Sequence, residues 1–175
     1  RQEFLAADLG ISGGNFLAAD TGTIALIENE GNIRLSTSLP NVHVAFVGIE
    51  KVVPHLEDLS GLLQLTTRAA TGQPIGTFVS LIQGPRTDDE VDGPEEVHVV
   101  LVDNGRTNLL ADDVAWEALR CVRCGACLNI CPVYRQTGGH PYGWTYSGRI
   151  GSTLAPGMAG LAAAVPLPTA SPPSP

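Results

Sequence analysis

The sequence predicts an α/β domain followed by a smaller region that carries all of its cysteines. Three observations support this. As far as about Asn108, short β-branched runs and one leucine-periodic segment follow one another as strand, helix, strand, the order that favours an α/β layer architecture. All four cysteines then fall within residues 121–131. Finally, the 175 residues are 43% hydrophobic and only 16% charged, too apolar for a disordered chain. That length suits one domain plus an appendage and can bury roughly 70% of the unfolded surface.

The elements follow in order. Phe4 to Leu9 reads as the end of a helix with Gly10 as its C-cap. Asn15–Asp20 and Thr23–Glu28 read as strands joined at Thr21-Gly22, with Gly31-Asn32 as the next turn. Val42 to Ile49 is short, β-branched and apolar on both faces, which fits a strand buried inside a sheet. Pro54 opens a helix as a first-turn proline. Leu56, Leu59, Leu62 and Leu63 carry that helix at helical spacing to about Arg68, with Glu57 and Asp58 near its positive end. Thr77–Gln83 and Val97–Asp103 are two further strands, and the acidic stretch Thr87–Glu96 between them reads as a solvated loop. Asp112 or Asp113 caps a short helix through Trp116 and Leu119.

Charge is placed unevenly. The formal net charge is −8, which argues against wrapping duplex DNA or lying on an anionic membrane. Six acidic residues fall between Asp88 and Glu96, and none lies beyond Glu117. From Ile150 to Pro175 there is no charge, yet six of the 13 prolines are there. These shifts predict three regions: 1–108, 109–150, and a disordered tail over 151–175. Val42–Ile49 is far short of the about 20 apolar residues of a spanning helix. With no secretory leader in view, the expectation is a cytoplasmic protein without a membrane span or nucleic-acid partner. The start at Arg1 leads us to expect a fragment whose first elements are missing.

Cys121-Val-Arg-Cys124-Gly-Ala-Cys127-Leu-Asn-Ile-Cys131-Pro132 follows the ferredoxin pattern C-x2-C-x2-C-x3-C-P. A cubane presents iron at several corners, and closely spaced thiolates on a turning backbone can reach three of them. Gly125 lets the backbone pass close by, and Pro132 ends the ligand loop. A disulfide framework suits such crowding and the absence of a leader poorly. Structural zinc usually takes two well-separated pairs. Haem attachment needs histidine where Leu128 stands, and a thioredoxin-like pair leaves two cysteines unexplained. In two-cluster ferredoxins the fourth cysteine serves the other cluster. Cys121, Cys124 and Cys127 would thus share one [4Fe-4S] cluster, while Cys131 reaches toward a second whose other ligands are not among these residues.

Outside this run, ligands of open α/β sheets bind beyond the carboxyl ends of strands. Gly48, Glu50 and Lys51, the sole lysine, sit there, and the turn at Gly31-Asn32 can meet a ligand with its backbone. Asn32, Glu50 and Lys51 are therefore a candidate ligand site, weighed against an ordinary strand-to-helix loop. His43 and His98 read as hydrogen-bonded core residues and His55 as an exposed first-turn residue. His140, Tyr142, Trp144 and Tyr146 read as packing that can shield or tune a cluster.

Three separated segments carry a family resemblance: ADTGTIALIENEGNIRLSTSLPNVHVAFVGIEKVVP, DNGRTNLLAD and CVRCGACLNICPVYRQTGGHPYGWTYSGRIG. Together they resemble the lactate-utilisation protein B family over about residues 1–157. The resemblance implies a partial NagB/RpiA/CoA-transferase-like (LUD) domain over 1–108, and over 109–150 the first half of an α-helical ferredoxin module. That module holds two [4Fe-4S] clusters in the family and at most one in this chain. It further implies a cytoplasmic system of lactate-utilisation proteins that oxidises L-lactate to pyruvate, this component passing electrons without catalysis of its own. By position, Cys121, Cys124 and Cys127 would hold the first cluster and Cys131 the second. The family begins upstream of Arg1 and continues to a second cysteine run, so the tail MAGLAAAVPLPTASPPSP is expected to be a truncation or reading-frame artefact. The alternative function is a ligand-binding or catalytic α/β domain in which Glu50 and Lys51 handle a carboxylate or acyl substrate beside a structural cluster.

Overall fold

The computed structural model describes residues 2–160. The chain divides after Val102 into two compact units, somewhat ahead of the boundary expected at 108.

In the first unit, α1 (Gln2–Ala6) ends early, and β1 (Leu9–Gly13) begins where a helix terminus was expected. Gly10 is therefore no C-cap. It is buried within the strand, and a Cβ there would stand 1.9 Å from the backbone oxygen of Ser36. Glycine is needed for that close passage of backbone, not for a turn. β2 (Phe16–Ala18) and β3 (Ile24–Glu28) form the expected antiparallel pair around Gly22.

The sequence reading missed α2 (Asn32–Ser38). Its free amides are met from outside the helix: the Glu28 carboxylate accepts the N–H groups of Ile33 at 2.7 Å and Arg34 at 2.6 Å. An acidic group at a positive helix end stabilises it.

β4 (Val42–Gly48) forms where the apolar run predicts it. β5 (Val52–Val53) pairs with β2, keeping the chain extended into Pro54. The next helix therefore begins with a 3₁₀ turn at Leu56–Asp58 and continues as α3 (Leu59–Thr71), later than Pro54. Asp58 accepts the His55 N–H at 3.1 Å, and Leu59 and Leu63 turn inward. β6 (Phe78–Ile82) and β7 (Glu96–Val102) complete the unit, with the acidic segment looping between them and pinned by an Arg86–Glu95 ion pair at 2.6 Å.

The strands make two sheets. One is parallel, in the order β1-β4-β7, and the other is mixed, in the order β5-β2-β3-β6. Ala45 and Val47 of the first sheet meet Leu17, Ile24 and Leu26 of the second in one apolar cluster, joined by Ile33, Ile82 and Val97. The opposite face of the parallel sheet departs from the expectation of burial on both sides. Leu9, Ile11, Phe46 (45% exposed) and Val100 remain open there among the described residues. His43 is buried as expected, with Nε2 2.8 Å from Ser12 Oγ. His98 is not a core residue. β7 is an edge strand, and its His98 side chain is 56% exposed beside Glu96 at 3.1 Å.

The second unit is built from short helices: α4 (Arg106–Leu110), a 3₁₀ turn at Ala115–Arg120, α5 (Ala126–Ile130), α6 (Pro132–Thr137), a 3₁₀ turn at His140–Tyr142, and α7 (Gly148–Ala159). Leu109, Leu119 and Leu154 form one apolar cluster, while Tyr142 and Ala155 form another with Val133, Tyr134 and Trp144. Residues 151–159, expected to be disordered, instead complete α7, with Leu154 and Ala155 fully buried. The rest of the expected tail, 161–175, lies outside the described residues.

Candidate metal centre

The cysteine loop is set up by caps on either side. The Asp112 carboxylate accepts the amides of Val114 at 2.9 Å and Ala115 at 2.8 Å, so Asp112 rather than Asp113 starts the turn that leads to it. Cys121 ends that turn, and its Sγ accepts the Arg123 amide at 3.4 Å. Arg123 (φ 60°) and Gly125 (φ 77°) are both left-handed, which winds the backbone tightly between Cys121 and Cys127. Arginine in this region is uncommon, whereas glycine at 125 is the residue it favours. Gly125 also precedes α5, which carries Cys127.

Cys131 stands apart from the other three. Cys121, Cys124 and Cys127 are half-buried, whereas Cys131 is 1% exposed. It is the N-cap of α6, its sulfur accepting the Tyr134 amide at 3.5 Å, with Pro132 at the first helical position. The Tyr142 hydroxyl lies 3.5 Å from the same sulfur. The Tyr134 amide holds the Cys131 thiol below its ordinary pKa. Burial opposes that effect, while Tyr142 and the charge of Arg149 reinforce it.

The stretch of chain that carries the cysteines is rich in arginine. Arg120, Arg123, Arg135 and Arg149 fall between residues 118 and 160, with no acidic residue among them. The Arg123 guanidinium lies 4.2 Å over the Tyr146 ring and that of Arg120 4.5 Å over Trp116. Among the described residues, no three His, Cys, Asp or Glu side chains come close enough together to hold a single metal ion. The thiols are spread along a turning loop, which suits ligands reaching separate corners of a cubane. Soft thiol donors, amides directed at sulfur and a stretch of chain with four arginines and no acidic residue fit an anionic iron–sulfur cluster.

Two families match this chain. Residues 1–102 match the LUD domain and residues 117–165 the 4Fe-4S dicluster domain. The chain belongs to the LUD-domain family. Its cysteine module is of the [4Fe-4S] kind. Among curated relatives it is similar to "Lactate utilization protein B" of Shouchella clausii (strain KSM-K16), 50% identical over 171 residues, covering 98% of this chain and 36% of the relative. The protein of the same name from Bacillus subtilis (strain 168) is 47% identical over 171 residues, with the same two shares. The chain thus spans about a third of the length of these relatives. A crystal structure of a DUF162 family protein from Deinococcus radiodurans superposes with a TM-score of 0.44 at 20% identity, covering 58% of this chain and 57% of that one. That likeness is too loose to build on.

The LUD unit places the other candidates apart. Lys51 ends a 3₁₀ turn after β4 and is 8% exposed, with Nζ 5.8 Å over the Phe16 ring. Glu50 is half-buried beside it. Asn32 is exposed and opens α2 beyond the end of β3 that pairs with β6 residue Phe78, away from the β2–β5 ladder. The topology therefore does not gather Asn32 with Glu50 and Lys51. His55 is exposed as expected, 3.5 Å from Asp20. His140 is exposed and lines an open cleft of about 760 Å³ with Tyr134, Trp144 and Ser147. The sequence reading missed Arg123 and the hydroxyl of Tyr142 as groups that act at the thiols. The missing acids beyond Glu117 were the visible signal for a cationic surround. No helix among the described residues is long and apolar enough to cross a membrane.

Proposed function

We propose that this chain passes electrons through a [4Fe-4S] cluster in the use of L-lactate, working in the cytoplasm with other lactate-utilisation proteins that oxidise lactate to pyruvate. The observation that carries the reading is the thiol run itself: four cysteines at ferredoxin spacing, with backbone amides donating to Cys121 and Cys131. The names of the relatives point to lactate. Cys121, Cys124 and Cys127 hold the first cluster; Cys131, which the family pattern gives to a second, closes that one cluster in this chain. When bound, such a cluster accepts and gives up one electron at a time at a potential set by its surroundings. The arginines offset its negative charge, the amides stabilise charge on sulfur, and the aromatic residues of the second unit limit water. None of these groups needs to move a proton.

The test is iron and acid-labile sulfide per chain after anaerobic reconstitution, alongside a reversible one-electron signal. About four of each per cluster is expected, lost in Cys121→Ala. Folded chain without iron would refute the reading. A second reading, binding of a carboxylate or acyl ligand at Glu50 and Lys51, draws support from the burial of Lys51 at the carboxyl end of β4. Lactate or CoA-ester binding that disappears in Lys51→Ala while iron content stays constant would favour it.

A further inference from the structure

Tyr142 is the largest fully buried side chain described, 1% exposed, and its hydroxyl reaches a cysteine. We propose that Tyr142 is a positioning residue that donates its O–H to the Cys131 sulfur and raises the reduction potential of the cluster this sulfur serves. The inference rests on the reading of Cys131 as an iron ligand.

The fold fixes the phenol in place independently of any ligand. Tyr142 closes a 3₁₀ turn whose Pro141 restricts the backbone. The Tyr142 amide donates to Gly139 O at 3.1 Å, and the Gly143 amide to His140 O at 3.0 Å. The ring is tilted 42° against Tyr134, with centroids 6.3 Å apart, and packs with Ala155, Val133 and Trp144. These contacts leave the hydroxyl 3.5 Å from Cys131 Sγ, in a pocket where sulfur is also fully buried. A buried phenol needs a hydrogen-bond partner, and the thiol at the head of α6 lies within reach of its hydroxyl.

Chemistry sets the direction of this bond. Between a free thiol and a phenol either group can donate, but a sulfur bound to iron carries no proton. The hydrogen must then lie on the phenol oxygen, with sulfur accepting. When an electron enters, no bond is made or broken and the phenol keeps its proton, but negative charge on the thiolate increases. A donor directed at that sulfur stabilises the reduced form more than the oxidised one, so the potential rises. Exclusion of water strengthens the effect, because the interaction is not screened.

The experiment is an EPR-monitored potentiometric titration of the reconstituted full chain, comparing Tyr142→Phe with Thr153→Val. Tyr142→Phe keeps the ring and loses only the hydroxyl, so its potential is expected to become more negative. Thr153→Val is the control, since it removes an exposed hydroxyl bonded to the Arg149 carbonyl rather than to sulfur, and its potential is expected to stay put. As a probe that keeps the hydroxyl, 3-fluorotyrosine placed at position 142 donates more strongly and is expected to move the potential the other way. Deuterium exchange should also reveal a proton coupled to the cluster by ENDOR, lost only in Tyr142→Phe. A normal iron content with an unmoved potential in both position-142 variants would overturn the role of Tyr142 and leave the electron-transfer reading standing. Failure of the unaltered chain to bind iron would overturn both.

Discussion

The two units of this chain are held together by different means. In the LUD unit, ladders of backbone hydrogen bonds connect strands far apart in sequence, and one apolar cluster lies between two sheets. In the cysteine unit, α4, α5 and α6 have five, five and six residues. Helices of that length are marginal by themselves and depend on caps: Asp112 before the 3₁₀ turn, Gly125 before α5, and the sulfur of Cys131 before α6. The first unit is stabilised mainly by burial. The second adds to its two apolar clusters a few directed contacts at the thiols, so the order of α5 and α6 is linked to what those thiols bind.

That contrast can be broken experimentally, and removing iron should have the largest effect. Treating reconstituted chain with a chelator is expected to speed amide exchange in α5 and α6 by at least on the order of a hundredfold, about 3 kcal/mol of local opening free energy, while β4 amides stay protected. Equal loss of protection in both units would mean that they do not differ as argued. Leu26→Ala acts on the other side. It removes a fully buried side chain from the cluster between the sheets, and is expected to cost about 2–5 kcal/mol. That loss should be seen in denaturant unfolding of the LUD unit, with iron per chain unchanged.

The smallest effect is a pH dependence confined to the LUD unit. Burial lowers the pKa of His43 from its ordinary 6.5. As pH falls below that value, the unfolded chain binds a proton that the folded chain refuses. Stability is therefore fully present above pH 6.5, declines as pH falls, and levels off once the folded group itself protonates. His43→Gln should flatten this slope in equilibrium unfolding measured from pH 7.5 to 5. A slope that persists would place its source elsewhere.

How far the fold could be read from sequence follows from the same contrast. Val42–Gly48 was legible because a short β-branched run is a local signal. α2 was not, because the group that satisfies its first amides is Glu28 in the preceding strand, and Gly31-Asn32 reads as a turn. Gly10 misled because a glycine required by backbone proximity looks the same in sequence as one that ends a helix. His98 misled because edge position depends on strand order, which the run itself does not encode. Most of α7 was hidden by Gly151, Pro156 and Gly157, residues that usually interrupt helices. Here a Cβ at Gly157 would stand 2.1 Å from Leu109 Cδ2 and one at Gly151 2.2 Å from Tyr146 O, so smallness is what lets the helix pack. The cysteine spacing was legible at once. The meeting of Tyr142 with Cys131 was not, since it depends on the chain returning through a turn eleven residues later.

Cys131 is both the cap of a helix and the candidate ligand, and this bears on how variants of the chain should be screened. Serine is a better helix cap than most residues and differs from cysteine by one atom, so in iron-free chain Cys131→Ser would keep the start of α6 and pass a thermal-shift assay while giving up the soft donor. Ranking iron-free variants by melting temperature would then retain a change that disables the site. Only an assay that counts iron would reject it.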